Sequence, residues 1–159
     1  YSLYTDRMDP WFVSHVDSDW PSLRQGAMRI LQEEAELQEI VRLVGQDALS
    51  FKDRLTLEAA RILREDYLHQ NAFHEVDTYA SLAKQHRMLQ IIMNYYELGQ
   101  KALSQGATLS QVLALPIRER IGRAKYIPEE QVDAAFGELA AELTAQMAEL
   151  IQEEGLEDA

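Results

Sequence analysis

Four histidines, His15, His69, His74 and His86, are the side chains best suited to metal or proton chemistry in this chain. His69 and His74 stand five apart, a spacing that does not align two ligands on one helical face. Asp66-x-x-His69 matches half of a di-iron carboxylate motif, and no second copy occurs on another segment. Hydrogen-bonding, partly exposed histidines are the expectation, and no metal ligand is assigned. Glu33, Glu34, Glu36 and Glu39 supply carboxylates without a nucleophile or partner base nearby, so a solvated helix face accounts for them. Gly122-Arg123-Ala124-Lys125 lacks the first glycine and the closing hydroxyl of a phosphate-binding loop. The chain alone is therefore not expected to hold Mg-nucleotide in that manner, and no catalytic residue is assigned.

Two other segments carry more. Phe73 closes the run Gln70-Asn71-Ala72-Phe73, and by residue type alone it is a core aromatic at a helix end. The loop Gln46 to Asp53 joins two helical patterns and holds Asp47, Leu49, Ser50, Phe51, Lys52 and Asp53. Ser50 is placed to cap the second helix, with Asp53 three residues on to favour its positive N-terminus. Leu49 and Phe51 are expected to be exposed at this turn, and an exposed phenylalanine there needs a partner surface.

The elements that position these residues read as helical throughout. Pro21 starts the first helix, with Leu23, Ala27, Ile30, Leu31, Leu37, Ile40, Val41 and Val44 at three- and four-residue spacing and Gly45 as its cap. Glu34 interrupts that stripe; its partner is Arg61 or Arg64 across the hairpin, or a surface outside this domain. Leu55, Ala59, Ile62, Leu63 and Leu68 line the second helix, which should end near Asn71. A third, long helix is expected from about Asp77 to Gln105, ended by Gly106. Thr108 or Ser110 starts a short helix that Pro116 terminates, and another short one holds Ile117 to Ala124. The last begins at Pro128 with Val132, Phe136, Leu139, Leu143, Met147 and Leu150 on one face. The fold class is all-α, a bundle of about six helices with a long antiparallel helical hairpin. Residues 1–20 show no period and are rich in aromatics, namely Tyr1, Tyr4, Trp11, Phe12 and Trp20. They read as a junction to a missing nucleotide-binding domain, with the helical bundle at residues 21–159, and the first residue, Tyr1, fits a piece of a longer chain.

The chain of 159 residues suits one domain with one core. Its 47% hydrophobic and 26% charged content is that of an ordinary globular protein. The formal charge of −12 disfavours nucleic-acid binding. The charge is uneven: residues 128–159 hold ten acidic side chains and no Lys or Arg, whereas Arg118, Arg120, Arg123 and Lys125 cluster around Glu119. No apolar run is long enough to span a membrane, and the absence of cysteine fits a cytoplasmic setting.

The stretch Leu37 to Phe73 resembles the C-terminal helical domain of the catalytic subunits of rotary ATPases. In F-type relatives the turn carries Asp-Glu-Leu-Ser-Glu-Glu-Asp; here Asp47-Ala48-Leu49-Ser50-Phe51-Lys52-Asp53 stands in that place. The flanks are most similar to the catalytic subunits of archaeal and bacterial V/A-type ATP synthases, through Tyr1-Ser2-Leu3-Tyr4, Ala72-Phe73-His74-Glu75-Val76-Asp77-Thr78-Tyr79 and Glu119-Arg120-Ile121-Gly122-Arg123-Ala124. The resemblance implies a part in a rotary ion-translocating ATP synthase or ATPase, cytoplasmic and peripheral to the membrane. ATP or ADP with Mg would be bound and turned over by the parent subunit, not by this domain alone. It implies that Phe73 forms one wall of the adenine pocket with Gln70 and Ala72 at its rim, and that residues 47–53 press on the central stalk. Ala48, Phe51 and Lys52 replace glutamates of the F-type turn, so contact through Leu49 and Phe51 with mixed charges at the rim fits better than an acidic push. The implied partners are the protein's own nucleotide-binding domain, the central stalk rotor, and a non-catalytic neighbour in a hexameric ring. The alternative is a helical protein-interaction adaptor unrelated to ATP.

Overall fold

The computed structural model describes residues 19–68 and 82–158. Among them are six α-helices and no strand: α1 (Trp20–Val44), α2 (Phe51–Ile62), α3 (Leu82–Ser104), α4 (Leu109–Leu113), α5 (Pro116–Gly122) and α6 (Val132–Asp158). The expected all-α bundle with a long hairpin is what forms. Pro21 lies in the first turn of α1, where a missing N–H costs nothing. Gly45 closes the helix at φ 92°, a backbone that a side chain would strain, and its N–H bonds Val41 O at 2.8 Å. Gly106 does the same after α3: the Ala107 N–H reaches back to Ala102 O at 3.0 Å and the Gly106 N–H to Leu103 O at 3.2 Å. Thr108 then opens α4 through a reciprocal capping box with Gln111. Pro116 both ends that run and serves as the first residue of α5.

α3 is the centre of the bundle and packs against α1, α2, α4, α5 and α6. Its buried face carries Met88, Leu89, Ile91, Ile92, Met93, Tyr95 and Ala102. The six apolar residues expected along α6, from Val132 to Leu150, are all buried against the core. At the end of α2 the backbone widens into a π-type segment, Leu63–Leu68. Arg64 there forms an ion pair with Glu34 at 2.6 Å, which resolves the alternatives for the acidic residue in the α1 stripe.

That stripe departs from expectation in its second half. Ala27 and Ile30 are buried, but beyond Ile30 no residue of α1 is. Ile40 and Val44, read as packing positions, are 42% and 68% exposed, and Leu43 is 74% exposed. The reason is the number of neighbours. The root of α1 lies against α3, with Gly26 facing Met93 and Asp19 bonded to His86. Among the described residues its distal half is covered mainly by α2 and the turn, and one neighbour covers only a narrow edge of a helix.

Candidate functional site: the hairpin turn and its root

The turn between α1 and α2 is built from short-range bonds. Gln46–Ala48 form a single 3₁₀ turn, and the Leu49 N–H bonds Gln46 O at 3.0 Å. Ser50 Oγ accepts from the Asp53 N–H at 3.1 Å, so the predicted cap is present. Arg54 draws the turn together. Its guanidinium donates to Asp47 Oδ1 at 3.0 Å and Gln46 O at 3.3 Å, and lies 6.0 Å from the centroid of the Phe51 ring.

The two apolar residues expected to share the surface are separated by the structure. Phe51 is 58% exposed, whereas Leu49 is only 6% exposed. This corrects the expectation for Leu49. Its extended backbone, φ −86° and ψ 144°, breaks the helical path between the 3₁₀ turn and α2 and sends its side chain away from solvent. The exposed apolar set at the tip is instead Ile40, Leu43, Val44 and Phe51, three of which come from the last turns of α1. The sequence signal lies in the excess of apolar residues at that end, but periodicity alone assigns them to packing.

Gln70, Ala72 and Phe73, and with them His15, His69 and His74, lie outside the described residues. Among the described residues no group of His, Asp and Glu could hold a metal ion, and no helix is long and apolar enough to cross a membrane. Asp66, half of the di-iron pattern, is bonded to Lys125 Nζ at 3.2 Å. Burial pushes its carboxyl above the usual range, and Lys125 works against that. Most of the basic cluster is consumed in the same way. Arg118 pairs with Glu58 at 2.8 Å and Arg123 with Glu119. Arg120 and Arg123 flank a shallow cavity of about 230 Å³ floored by Ala124, Ile127 and Leu139.

Glu58, midway along α2, is an electrostatic centre of the hairpin. Burial alone would raise its carboxyl, but hydrogen bonds from Arg61 at 2.6 Å and Arg118 at 2.8 Å outweigh that and hold it below the ordinary range. The Glu58–Arg61 spacing of three residues is legible on a helix; the Arg118 partner, 60 residues away, is not. Lys84 is fully buried and donates to the Lys125 carbonyl at 2.7 Å, another group that sequence reasoning passes over.

With this geometry in hand, comparison with known proteins is specific. Residues 9–113 match the family described as the C-terminal domain of V and A type ATP synthase. The chain is 59% identical over 154 residues to a "V-type ATP synthase alpha chain" of Acetivibrio thermocellus, covering 97% of this chain and 26% of that protein. It is 55% identical over 152 residues to the protein of the same name in Thermoanaerobacter pseudethanolicus, covering 96% of this chain and 26% of the relative. It is 54% identical over 159 residues to "V-type ATP synthase alpha chain 1" of Clostridium tetani, covering 100% of this chain and 27% of the relative. The chain thus spans about a quarter of the length of the curated relatives it matches. A family match over residues 9–113 and relatives at 54–59% identity give one answer: the chain belongs to the family of C-terminal domains of V and A type ATP synthase.

Proposed function

We propose that this domain is the mechanical output element of the catalytic subunit of a rotary ion-translocating ATP synthase. The observation that carries the reading is the contrast along the hairpin. Its root is buried and ion-paired, while its tip leaves Leu43, Val44 and Phe51 more than half exposed on either side of the turn. A bare apolar tip on a braced pair of helices suits repeated contact with a moving partner, because apolar contact needs no fixed hydrogen-bond register. The partner is the central stalk, with Asp47, Ser50, Lys52 and Asp53 forming the polar rim. Family membership favours this over a helical adaptor.

The protein's own nucleotide-binding domain holds ATP or ADP with Mg, and a non-catalytic subunit lies alongside in the ring. The complex sits on the cytoplasmic side, peripheral to the membrane. Phe73 stacks on adenine with Gln70 and Ala72 at the rim, contributing burial and no chemistry.

The test uses the assembled complex. Phe51→Ala should lower ion transport per ATP hydrolysed while changing stability by roughly 0.5 kcal/mol or less, as for an exposed side chain. Leu49→Ala should instead destabilise by about 2–4 kcal/mol, as for a buried leucine. A cysteine at position 51, in a chain that has none of its own, should crosslink to cysteines along the stalk and stop rotation. No crosslink at any rotor angle would leave the turn a plain connection.

A further inference from the structure

Asp19 occupies the N-cap position of α1, where an aspartate side chain ordinarily accepts from the helix's own amides. Here it makes no such bond. Its carbonyl begins the α1 ladder, accepting from the Leu23 N–H at 3.0 Å. Its carboxylate crosses to α3 instead. Oδ1 lies 2.6 Å from His86 Nε2, and Oδ2 accepts from Gln90 Nε2 at 3.2 Å. His86 and Gln90 are four residues apart, so they present their donors from one face of α3. The imidazole is 5% exposed and lies 5.5 Å, centroid to centroid, from the buried Trp20 ring. One residue therefore starts the first long helix and ties that start to the central helix. The bond does not require an imidazolium, since a neutral ring protonated on Nε2 also donates.

We propose that Asp19, held by His86 and Gln90, is a positioning residue for mechanical coupling. It clamps the root of α1 to α3, so that movement delivered through the chain before Asp19 turns the hairpin and core as one body. Without the clamp, α1 pivots at its root, and the stroke is lost as bending before it reaches the tip. The geometry makes this the vulnerable point. Along α1 only Trp20, Ala27 and Ile30 are buried, all in its first eleven residues, so a loosened first turn leaves two buried contacts to hold a long arm. The inference rests on the reading of the hairpin as an output element.

The experiment is carried out in the assembled, membrane-reconstituted complex, comparing Asp19→Ala, Asp19→Asn, Gln90→Leu and Phe51→Ala. Asp19→Ala should leave ATP hydrolysis near wild type and cut ions moved per ATP by about twofold or more, a loss of coupling. Amide exchange in residues 20–26 should quicken roughly tenfold as the first turns open locally. Asp19→Asn keeps an acceptor for His86 and should restore coupling, which a general loss of charge would not. Gln90→Leu removes only the longer bond and should give a smaller loss in the same direction; it decides the matter if Asp19→Ala fails to assemble. Wild-type coupling in Asp19→Ala, or in Gln90→Leu where that stands alone, overturns the clamp. If Phe51→Ala still uncouples in that case, the tip reading survives. If Phe51→Ala is also fully coupled, the output reading itself fails.

Discussion

Three of the glycines inside helices, Gly26, Gly99 and Gly137, meet three different surroundings, so a single substitution, Gly→Ala, should give three different results. In every case alanine gains about 1 kcal/mol from helix propensity. At Gly137 in α6 a Cβ would meet nothing within 4 Å, so the full gain of about 1 kcal/mol should appear. At Gly26 in α1 the Cβ would lie 2.8 Å from Met93 Cε. That atom ends a flexible thioether chain that can swing aside at modest cost, leaving a gain of roughly 0–1 kcal/mol. At Gly99 in α3 the Cβ would lie 2.8 Å from Leu55 Cδ2 and 3.2 Å from Val112 Cγ1. Both side chains are fully buried and have nowhere to retreat. Overpacking costs about 1–3 kcal/mol, so the net effect should be a loss of roughly 0–2 kcal/mol. The assay is urea unfolding of residues 1–159 followed by far-UV circular dichroism, with m-values checked for constancy. The expected order of stability is Gly137→Ala, then Gly26→Ala, then Gly99→Ala. If Gly99→Ala matches or exceeds Gly137→Ala, the close approach of α3 to α2 and α4 is softer than the packing indicates, and the reasoning fails.

Tyr95 predicts an alkaline weakness. Its hydroxyl donates to Val112 O at 3.2 Å, and burial pushes its pKa from 10.0 up to about 12, with Arg118 working in the opposite direction. A raised folded pKa means the native state holds the proton longer. The associated stability is complete below pH 10 and is lost as pH climbs towards 12. Tyr95→Phe should therefore shrink the fall in unfolding free energy across that range by about 2–3 kcal/mol; an unchanged fall would refute the assignment. For Phe73, Phe73→Ala in the intact complex should weaken nucleotide binding by about 1–3 kcal/mol, the range for base–aromatic stacking. Unchanged affinity in a folded protein would make Phe73 an ordinary core residue.

Legibility followed the range of the interactions. Local rules placed the helices well: Pro21, Gly45, Ser50, Gly106 and Thr108 each sit at the boundary their chemistry implies. The α6 stripe was legible because one partner, the core, covers it along its length. The α1 stripe misled because periodicity reports that one face is apolar and says nothing about how far along the helix a neighbour extends. Ile40 and Val44 belong to the same stripe as Ile30 and differ only in what lies opposite. Leu49 misled for the converse reason, since a turn residue is expected outside and this one is folded in by a local extended backbone. The Asp19–His86 and Glu58–Arg118 bonds join residues 67 and 60 positions apart. A single sequence contains no signal for such pairs.

The ionic contacts along the hairpin differ in how far they are shielded from water. At the tip, Asp47 is fully exposed, so its bond to Arg54 is open to water and salt and holds the turn only loosely. Farthest from the turn, just past α2, Glu34 is 13% exposed but Arg64 is 43% exposed, so the pair is screened from one side only. Midway along α2, Glu58 and Arg118 are each 17% exposed, and Arg61 shares the same carboxylate. Removing Arg118 would leave a half-desolvated carboxylate with one partner, at a cost of about 1–3 kcal/mol. The contrast between the open pair at the tip and the two inner pairs suits an arm under load. The turn can change its side-chain contacts at little cost as the opposing surface moves past, while the base resists rearrangement.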